Sequence, residues 1–288
     1  MTLMTSALIC LVGGQWSAAE HDFNNQWTAK SPGNPYWLEY SRDGTLVHGV
    51  CSDGVWRSWH YQTGVLKAEW GRAAYRFGIS PDELMLAAGD LSGKVFLFDT
   101  VGSKAYPLTG HAGHPRRIQF TPDGDYLVIG SVDGLIRIWS SEGEVVAEIG
   151  PIEGGLQDVC LTRAGDRMAT TGPDGFLRFY SVPSGELITE HQLERGTIRG
   201  LDFSPDDKRL AIGGTNTEVL LWNVEQEKIM ASRAVEGFPY LVEFSPNGTT
   251  LAVGTHSYSP ENTGSIYVWE TDRGAGIERL PDFTTGID

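Results

Sequence analysis

The sequence is poor in cysteine and in positive charge. Its three cysteines, Cys10, Cys51 and Cys160, form no spaced cluster, which excludes a disulfide scaffold and a cysteine zinc site. Its 22 Lys and Arg residues stand against 37 Asp and Glu residues, for a net charge of −15. A general nucleic-acid binder needs a basic surface, so we expect no nucleic-acid partner. The same deficit argues against docking on an anionic membrane.

Long apolar runs are also missing. Residues 3–12 form an apolar run that is too short to span a bilayer, so we expect no membrane insertion of the mature domain. Ser17 and Ala19 follow at the −3 and −1 positions of a cut before Glu20, which predicts a secretory signal peptide over residues 1–19. The segment lacks the usual Lys or Arg, and the apolar run also fits an edge strand. With a signal peptide the protein is exported, and otherwise it is cytoplasmic.

One pattern repeats along the rest of the chain. An apolar residue that ends a short strand precedes a turn such as Thr121-Pro122-Asp123-Gly124, and the steps between successive copies are 39, 41, 41, 42 and 41 residues. An aromatic residue closes a later strand of each copy, 19 residues on in the first five copies and 25 in the sixth. The strand-ending residues are Tyr40, Ile79, Phe120, Leu161, Phe203 and Phe244, and the closing aromatics are Trp59, Phe98, Trp139, Tyr180, Trp222 and Trp269.

Each repeat has the alternation and turns of β-strands. Apolar residues occur two apart, and hairpins such as Asp53-Gly54 and Asp133-Gly134 supply the backbone angles that tight turns need. Four short antiparallel strands in each of six repeats predict an all-β fold, a β-propeller of four-stranded blades. A two-sheet sandwich has similar strands but no reason for the period. We predict one domain over residues 22–288, either six-bladed or seven-bladed with an incomplete last blade.

These residues resemble the WD-repeat family over residues 22–288. The Ser/Thr-Pro-Asp-Gly turn, the Asp-Gly hairpin and the closing Trp carry the resemblance, and the third repeat adds Gly110-His111. The resemblance implies a buried hydrogen-bonded set in that repeat, formed by His111, Ser131, Asp133 and Trp139. The other repeats lack Gly-His in register.

Sequence signatures of catalysis are absent. The chain has no Gly-x-Ser-x-Gly, no His-Glu-x-x-His and no dinucleotide glycine fingerprint. His111 and His114 lack a third metal ligand nearby in the sequence. We therefore predict no enzyme activity, no cofactor and no metal. The rival hypothesis is a propeller enzyme or cofactor-holding module that uses acidic and His residues around the central channel.

The start of each first strand is the predicted binding region. The residue four positions before each strand-ending residue is Tyr or Arg, except in the fourth repeat, where it is Gln157. Tyr and Arg carry most of the binding energy in many interfaces. The sixth repeat has a longer hairpin from His256 to Gly264, expected on the same side. An alternative is that the Tyr residues only pack between blades. We predict that an unidentified protein or peptide binds the Tyr/Arg set: Tyr36, Tyr75, Arg116, Arg199, Phe238, Tyr240 and Tyr258.

Overall fold

A computed structural model describes residues 35–41, 45–70, 75–99, 105–193, 196–256, 264–271 and 277–279, with only the backbone described at 35–40, 70 and 277–279. These ranges contain strands and turns and no helix, so they include no helix that could cross a membrane. The predicted all-β class is confirmed. Residues 1–19, the predicted signal peptide, lie outside the described residues.

The chain separates into two compact units, and the N-terminal unit contains the first two blades. In each blade the strands pair antiparallel in the order of the sequence. Blade 1 consists of β1 (Pro35–Tyr40), β2 (Leu46–Cys51), β3 (Trp56–His60) and β4 (Leu66–Trp70). Blade 2 consists of β5 (Arg76–Ile79), β6 (Met85–Gly89), β7 (Val95–Asp99) and β8 (Ala105–Leu108).

The C-terminal unit, from Arg116 to Leu280, contains the other four blades. Blade 3 has β9 (Pro115–Phe120), β10 (Tyr126–Ser131), β11 (Ile136–Ser140) and β12 (Val145–Ile149). Blade 4 has β13 (Asp158–Leu161), β14 (Arg167–Thr171), β15 (Phe176–Ser181) and β16 (Leu187–Gln192). Blade 5 has β17 (Ile198–Phe203), β18 (Arg209–Gly214), β19 (Glu218–Asn223) and β20 (Lys228–Ala234). Blade 6 has β21 (Phe238–Phe244), β22 (Thr250–His256), β23 (Ile266–Glu270) and β24 (Ile277–Arg279).

These six four-stranded antiparallel sheets confirm the β-propeller class for the described part of the chain. Trp59, Trp139, Trp222 and Trp269 all lie on third strands and are buried, as the repeat predicts. Residues 280–288, where the incomplete last blade of the seven-bladed alternative would begin, lie outside the described residues.

The hydrophobic core of the C-terminal unit lies between consecutive blades. One cluster joins Phe179 of blade 4 to Phe203 and Trp222 of blade 5, and similar clusters join blades 3 and 4 and blades 5 and 6. Burial of apolar surface is the main favourable contribution to folding. Neighbouring blades therefore stabilise one another, and this positions the ends of their first strands.

In the turns after the first strands, a Ser or Thr hydroxyl accepts a backbone N–H from the start of the second strand. We name this hydrogen bond the hydroxyl latch. In blade 5 the Arg209 N–H donates to Oγ of Ser204 at 3.0 Å, and the Ser204 hydroxyl donates to Asp206 at 2.6 Å. Equivalent bonds form at the turns that begin with Ser80, Thr121, Thr162 and Ser245. The repeated Ser/Thr-Pro-Asp-Gly sequence is thus explained by the turn, since a short polar side chain there satisfies the backbone.

Candidate functional site

Three side chains meet where the first strands of blades 5 and 6 begin and the second strand of blade 6 ends. The Arg199 guanidinium carbon lies 5.0 Å from the centroid of the Tyr240 ring, and the Tyr240 and His256 centroids are 5.6 Å apart with the planes at 66°. All three residues are partly accessible to solvent. We name them the Arg199–Tyr240–His256 cluster. It offers a cation, an aromatic face and an imidazole in one place, so it can contact both acidic and apolar groups.

Glycines let the strand that carries Tyr240 approach its neighbour. A Cβ atom on Gly200 would lie 2.5 Å from the Tyr240 carbonyl oxygen, and one on Gly213 would lie 2.6 Å from the Pro239 carbonyl oxygen. Both distances are shorter than any real Cβ contact, so a side chain at either position would push β21 away. The cluster geometry therefore depends on these two glycines.

Two other predicted residues lie in the same unit. Phe238 begins β21, faces His256 in the strand register and is partly accessible. Arg116 lies near the start of β9 and is also partly accessible. Of the Tyr/Arg set, the structure brings Arg199, Phe238 and Tyr240 to neighbouring strand positions.

A comparable arrangement occurs in the N-terminal unit. The Tyr75 ring packs edge-on against His114, with centroids 5.2 Å apart, and the Arg76 guanidinium carbon lies 4.3 Å from the Tyr75 centroid. Tyr75 is partly accessible. Both units thus combine a Tyr from the start of a first strand with an Arg and a His.

The remaining members of the set have no described side chain. Tyr36 lies in β1, where the structure describes the backbone alone, and Tyr258 lies in the segment 257–263, outside the described residues. A single surface built from all seven residues stays a prediction. His114 and His256 were not predicted as binding residues. Their only signal in the sequence was a position in a loop or at a strand end close to members of the Tyr/Arg set.

The acids of the first strands hold the backbone of the next blade. The Leu201 N–H donates to Oδ2 of Asp158 at 2.9 Å, and the Phe244 N–H donates to Oδ2 of Asp202 at 2.7 Å. Desolvation raises the pKa of Asp202 to about 7, although the Phe244 N–H acts in the opposite direction. These carboxyl groups tie blade 4 to blade 5 and blade 5 to blade 6, which is a structural role.

The predicted hydrogen-bonded set is described in part. The Asp133 N–H donates to Oγ of Ser131 at 3.4 Å, and Oδ1 of Asp133 accepts the Leu135 N–H at 3.0 Å. Trp139 is buried in the same blade. His111 belongs to the N-terminal unit, and its link to the other three residues stays a prediction.

In blades 1 and 4, the hairpin Asp equivalent to Asp133 forms an ion pair with an Arg, which the sequence analysis did not predict. In blade 1 the Arg57 guanidinium lies 2.6 Å from Asp53 and 3.1 Å from Glu69. The hydrogen bond from Arg57 lowers the pKa of Asp53. Asp174, Arg178 and Glu190 form the same triad in blade 4. The spacing of four residues between Asp and Arg was a visible signal for it.

The described residues contain no group of three or more His, Cys, Asp and Glu side chains that could hold a metal. Cys51 and Cys160 are free thiols in buried positions. Desolvation raises the pKa of Cys160 well above its usual value, so its reactive thiolate form is disfavoured.

The fold is a β-propeller, and its repeats resemble those of the WD-repeat family. The WD40 family model (WD domain, G-beta repeat) matches residues 102–140 and 185–223, which contain the third strands of blades 3 and 5. Over these residues the chain is similar to the WD-repeat family. It is also similar to the small ribosomal subunit protein RACK1 of Neurospora crassa, at 26% identity over 108 residues. That match covers 37% of this chain and 32% of the relative, so the chain spans about a third of that protein's length.

WD-repeat propellers are in general non-enzymatic scaffolds that bind other proteins. Function nevertheless resides in particular sites on a fold, so the surface that binds must be argued from residues.

Proposed function

We propose that the protein is a non-enzymatic interaction platform that binds a protein or peptide segment through the Tyr/Arg set. The Arg199–Tyr240–His256 cluster is the centre of this surface. The observation that carries the proposal is the meeting of these three partly accessible side chains at one strand end, away from the core between the blades. Tyr and Arg in such positions contribute large contact area and paired hydrogen bonds.

The partner segment is acidic or extended. Arg116, Arg117 and Arg199 are cations near the starts of first strands in a chain with a net charge of −15. An Arg guanidinium meets a carboxylate with two parallel hydrogen bonds, which makes an acidic segment the best match. Aromatic rings beside the cations accept the apolar side chains of the same segment.

The rival hypothesis is an enzyme or cofactor-holding module that uses acids and His around the channel. It needs carboxyl groups that are available to a substrate. Asp158 and Asp202 instead accept backbone N–H groups of the next blade. Breaking these bonds would leave buried groups unsatisfied, which costs about 1–3 kcal/mol each. This arrangement supports the platform over the enzyme.

Substitutions in the cluster test the proposal. Proteins captured by the intact chain are compared with those captured by the Arg199→Ala and Tyr240→Ala variants, and the Kd of each captured protein is then measured by calorimetry. We expect each substitution to weaken binding by about 1–2 kcal/mol or more, because hot-spot Tyr and Arg residues contribute that much. The melting temperature should stay nearly unchanged, since both side chains are partly accessible.

Matched controls come from exposed residues elsewhere. Arg167→Ala removes an exposed Arg at the start of β14, and Tyr106→Ala removes an exposed Tyr from β8. Both variants should bind like the intact chain, as should the turn variant Asp123→Ser. The proposal fails if the cluster variants unfold the protein, because those residues would then be core packing. It also fails if binding survives both cluster substitutions together.

A further inference from the structure

The outer strands of blades 3, 4 and 5 each present two consecutive apolar residues to solvent. We name these residues the rim pairs: Val145 with Val146, Leu187 with Ile188, and Ile229 with Met230. The exposed fraction is 49% for Val145, 51% for Leu187 and 50% for Met230. The fourth strand is an edge of each sheet, so side chains on both of its faces can reach solvent.

A β-bulge occurs at the same place in each of these three outer strands. The pairing of β12 with β11 skips Val146, between Val145 and Ala147. Ile188 in β16 and Met230 in β20 are skipped in the same way. A bulge bends an edge strand and interrupts its ladder, which opposes the addition of a further strand. A partner at this edge therefore contacts side chains and does not extend the sheets.

The rim pairs follow one another along the outer edge of the C-terminal unit, because each outer strand contacts the next blade. The Ala147 Cβ lies 3.0 Å from where a Cβ on Gly185 would be. The His191 ring lies 4.9 Å from the Trp222 ring, and its Nε2 lies 3.4 Å from the Glu227 carboxylate. The three pairs thus occupy equivalent positions on consecutive, touching blades.

Glutamates surround the rim pairs. The exposed acids of these turns and outer strands are Glu142, Glu144, Glu148, Glu186, Glu190, Glu225 and Glu227. The Lys and Arg residues of the same segments are Lys228 and Arg233. Even Glu148, which pairs with Arg137 at 2.7 Å, keeps 52% of its side chain exposed. This edge therefore carries the apolar rim pairs, and acidic side chains surround them.

We propose that the rim pairs and these glutamates form a second docking surface, occupied by a basic and apolar segment of a partner protein. Apolar side chains of the segment cover the rim pairs, and its Lys and Arg residues meet the glutamates. A second copy of this chain would oppose one acidic edge to another, and the net charge of −15 adds to that repulsion. The surface lies on the fourth strands and the Tyr/Arg set on the first strands, which are opposite edges of each sheet.

A peptide probe tests this surface on the full chain. The probe is a short fluorescent peptide of alternating leucine and lysine, compared with one that has glutamate for lysine and one that has serine for leucine. We expect fluorescence anisotropy to detect binding of the first peptide alone. Combined substitution of Val145, Val146, Leu187 and Ile188 by Ser should weaken that binding at least about tenfold, because it removes the apolar contact area.

Two controls locate the binding site. Leu84→Ser with Leu91→Ser removes exposed apolar residues elsewhere and should leave the Kd unchanged, and so should Tyr240→Ala. Glu144→Gln with Glu186→Gln should weaken binding and reduce its dependence on salt, which gives a second measurement if the Ser variant melts at a lower temperature. The proposal is overturned if the folded Ser variant or the Gln variant binds like the intact chain, or if the glutamate peptide binds as tightly. A dimer in sedimentation that the Ser variant loses would instead identify a second copy as the occupant.

Discussion

In the C-terminal unit, the two ends of the first strands are held in different ways. At the end that leads into the turn, Ser204 and Ser245 make the same hydroxyl latch to their own turns. That end also carries a tie between blades, since Asp207 accepts the Arg163 N–H at 2.6 Å. At the other end, the described contacts of Arg199 and Tyr240 are those between partly accessible rings and cations.

This difference separates structural residues from candidate functional ones. The latched end uses the same residue types in every repeat because the turn itself requires them. The starting end changes from Arg116 to Gln157 to Arg199 to Tyr240 between blades, although the backbone there is equivalent. Variation on a constant backbone is expected where a repeat protein contacts its partners.

The largest expected effect comes from Gly200. Gly200→Ala places a Cβ 2.5 Å from the Tyr240 carbonyl oxygen, so the backbone of β21 must shift. We expect the free energy of unfolding, measured in urea, to fall by about 2–3 kcal/mol because the site becomes overpacked. Binding through Tyr240 should weaken as well.

Gly254→Ala is the matched control, because its Cβ would sit 3.4 Å from the nearest atom, the Leu241 Cβ. That change should leave stability within about 0.5 kcal/mol or raise it slightly. If both variants lose the same free energy of unfolding, the loss in Gly200→Ala does not come from the close approach of β21 to blade 5.

The latched end provides the next prediction. Ser204→Ala removes the acceptor of the Arg209 N–H and the donor to Asp206 in a buried turn. We expect a loss of about 1–2 kcal/mol in the free energy of unfolding, with no loss of partner binding. Ser184→Ala, in an exposed turn, should change stability by less than about 0.5 kcal/mol. Weaker partner binding in Ser204→Ala at unchanged stability would contradict the division between the two ends.

The smallest expected effect concerns the predicted link between His111 and Asp133 at the starting end of blade 3. If His111 and Asp133 are linked as the family resemblance implies, Asp133→Ala should lower the melting temperature. The coupling free energy between His111→Ala and Asp133→Ala in a double-mutant cycle should reach about 1 kcal/mol. Thermal melting of the single and double variants measures it. Purely additive losses would show that Asp133 stabilises its own hairpin alone.

The fold was predictable because its signals are local and repeated. The turn around Asp123 and the spacing to Trp139 depend on residues close in sequence, and each recurs in every blade with small changes. The contacts that shape the candidate site join different blades. The repeat spacing places Gly200 and Tyr240 in neighbouring blades, but it does not reveal how closely their backbones approach.

Other features lack a residue signature altogether. The bulge residue is Lys67 in blade 1 but Val146, Ile188 and Met230 in blades 3 to 5, because a bulge is a property of backbone pairing that tolerates many side chains. His256 was predicted only as the start of a longer hairpin. Its place beside Tyr240 follows from the register of β21 with β22, which sequence alone leaves open.

The ties between first strands also bear on how the chain assembles. The Leu161 N–H donates to Gln119, the Leu201 N–H to Asp158 and the Phe244 N–H to Asp202, so each acceptor comes from the blade made earlier. A blade that emerges during synthesis thus meets acceptors already in position on its predecessor. Nearest-neighbour terms of this kind make folding of a repeat array propagate from blade to blade. We expect folding of blades 3 to 6 to propagate between neighbouring blades.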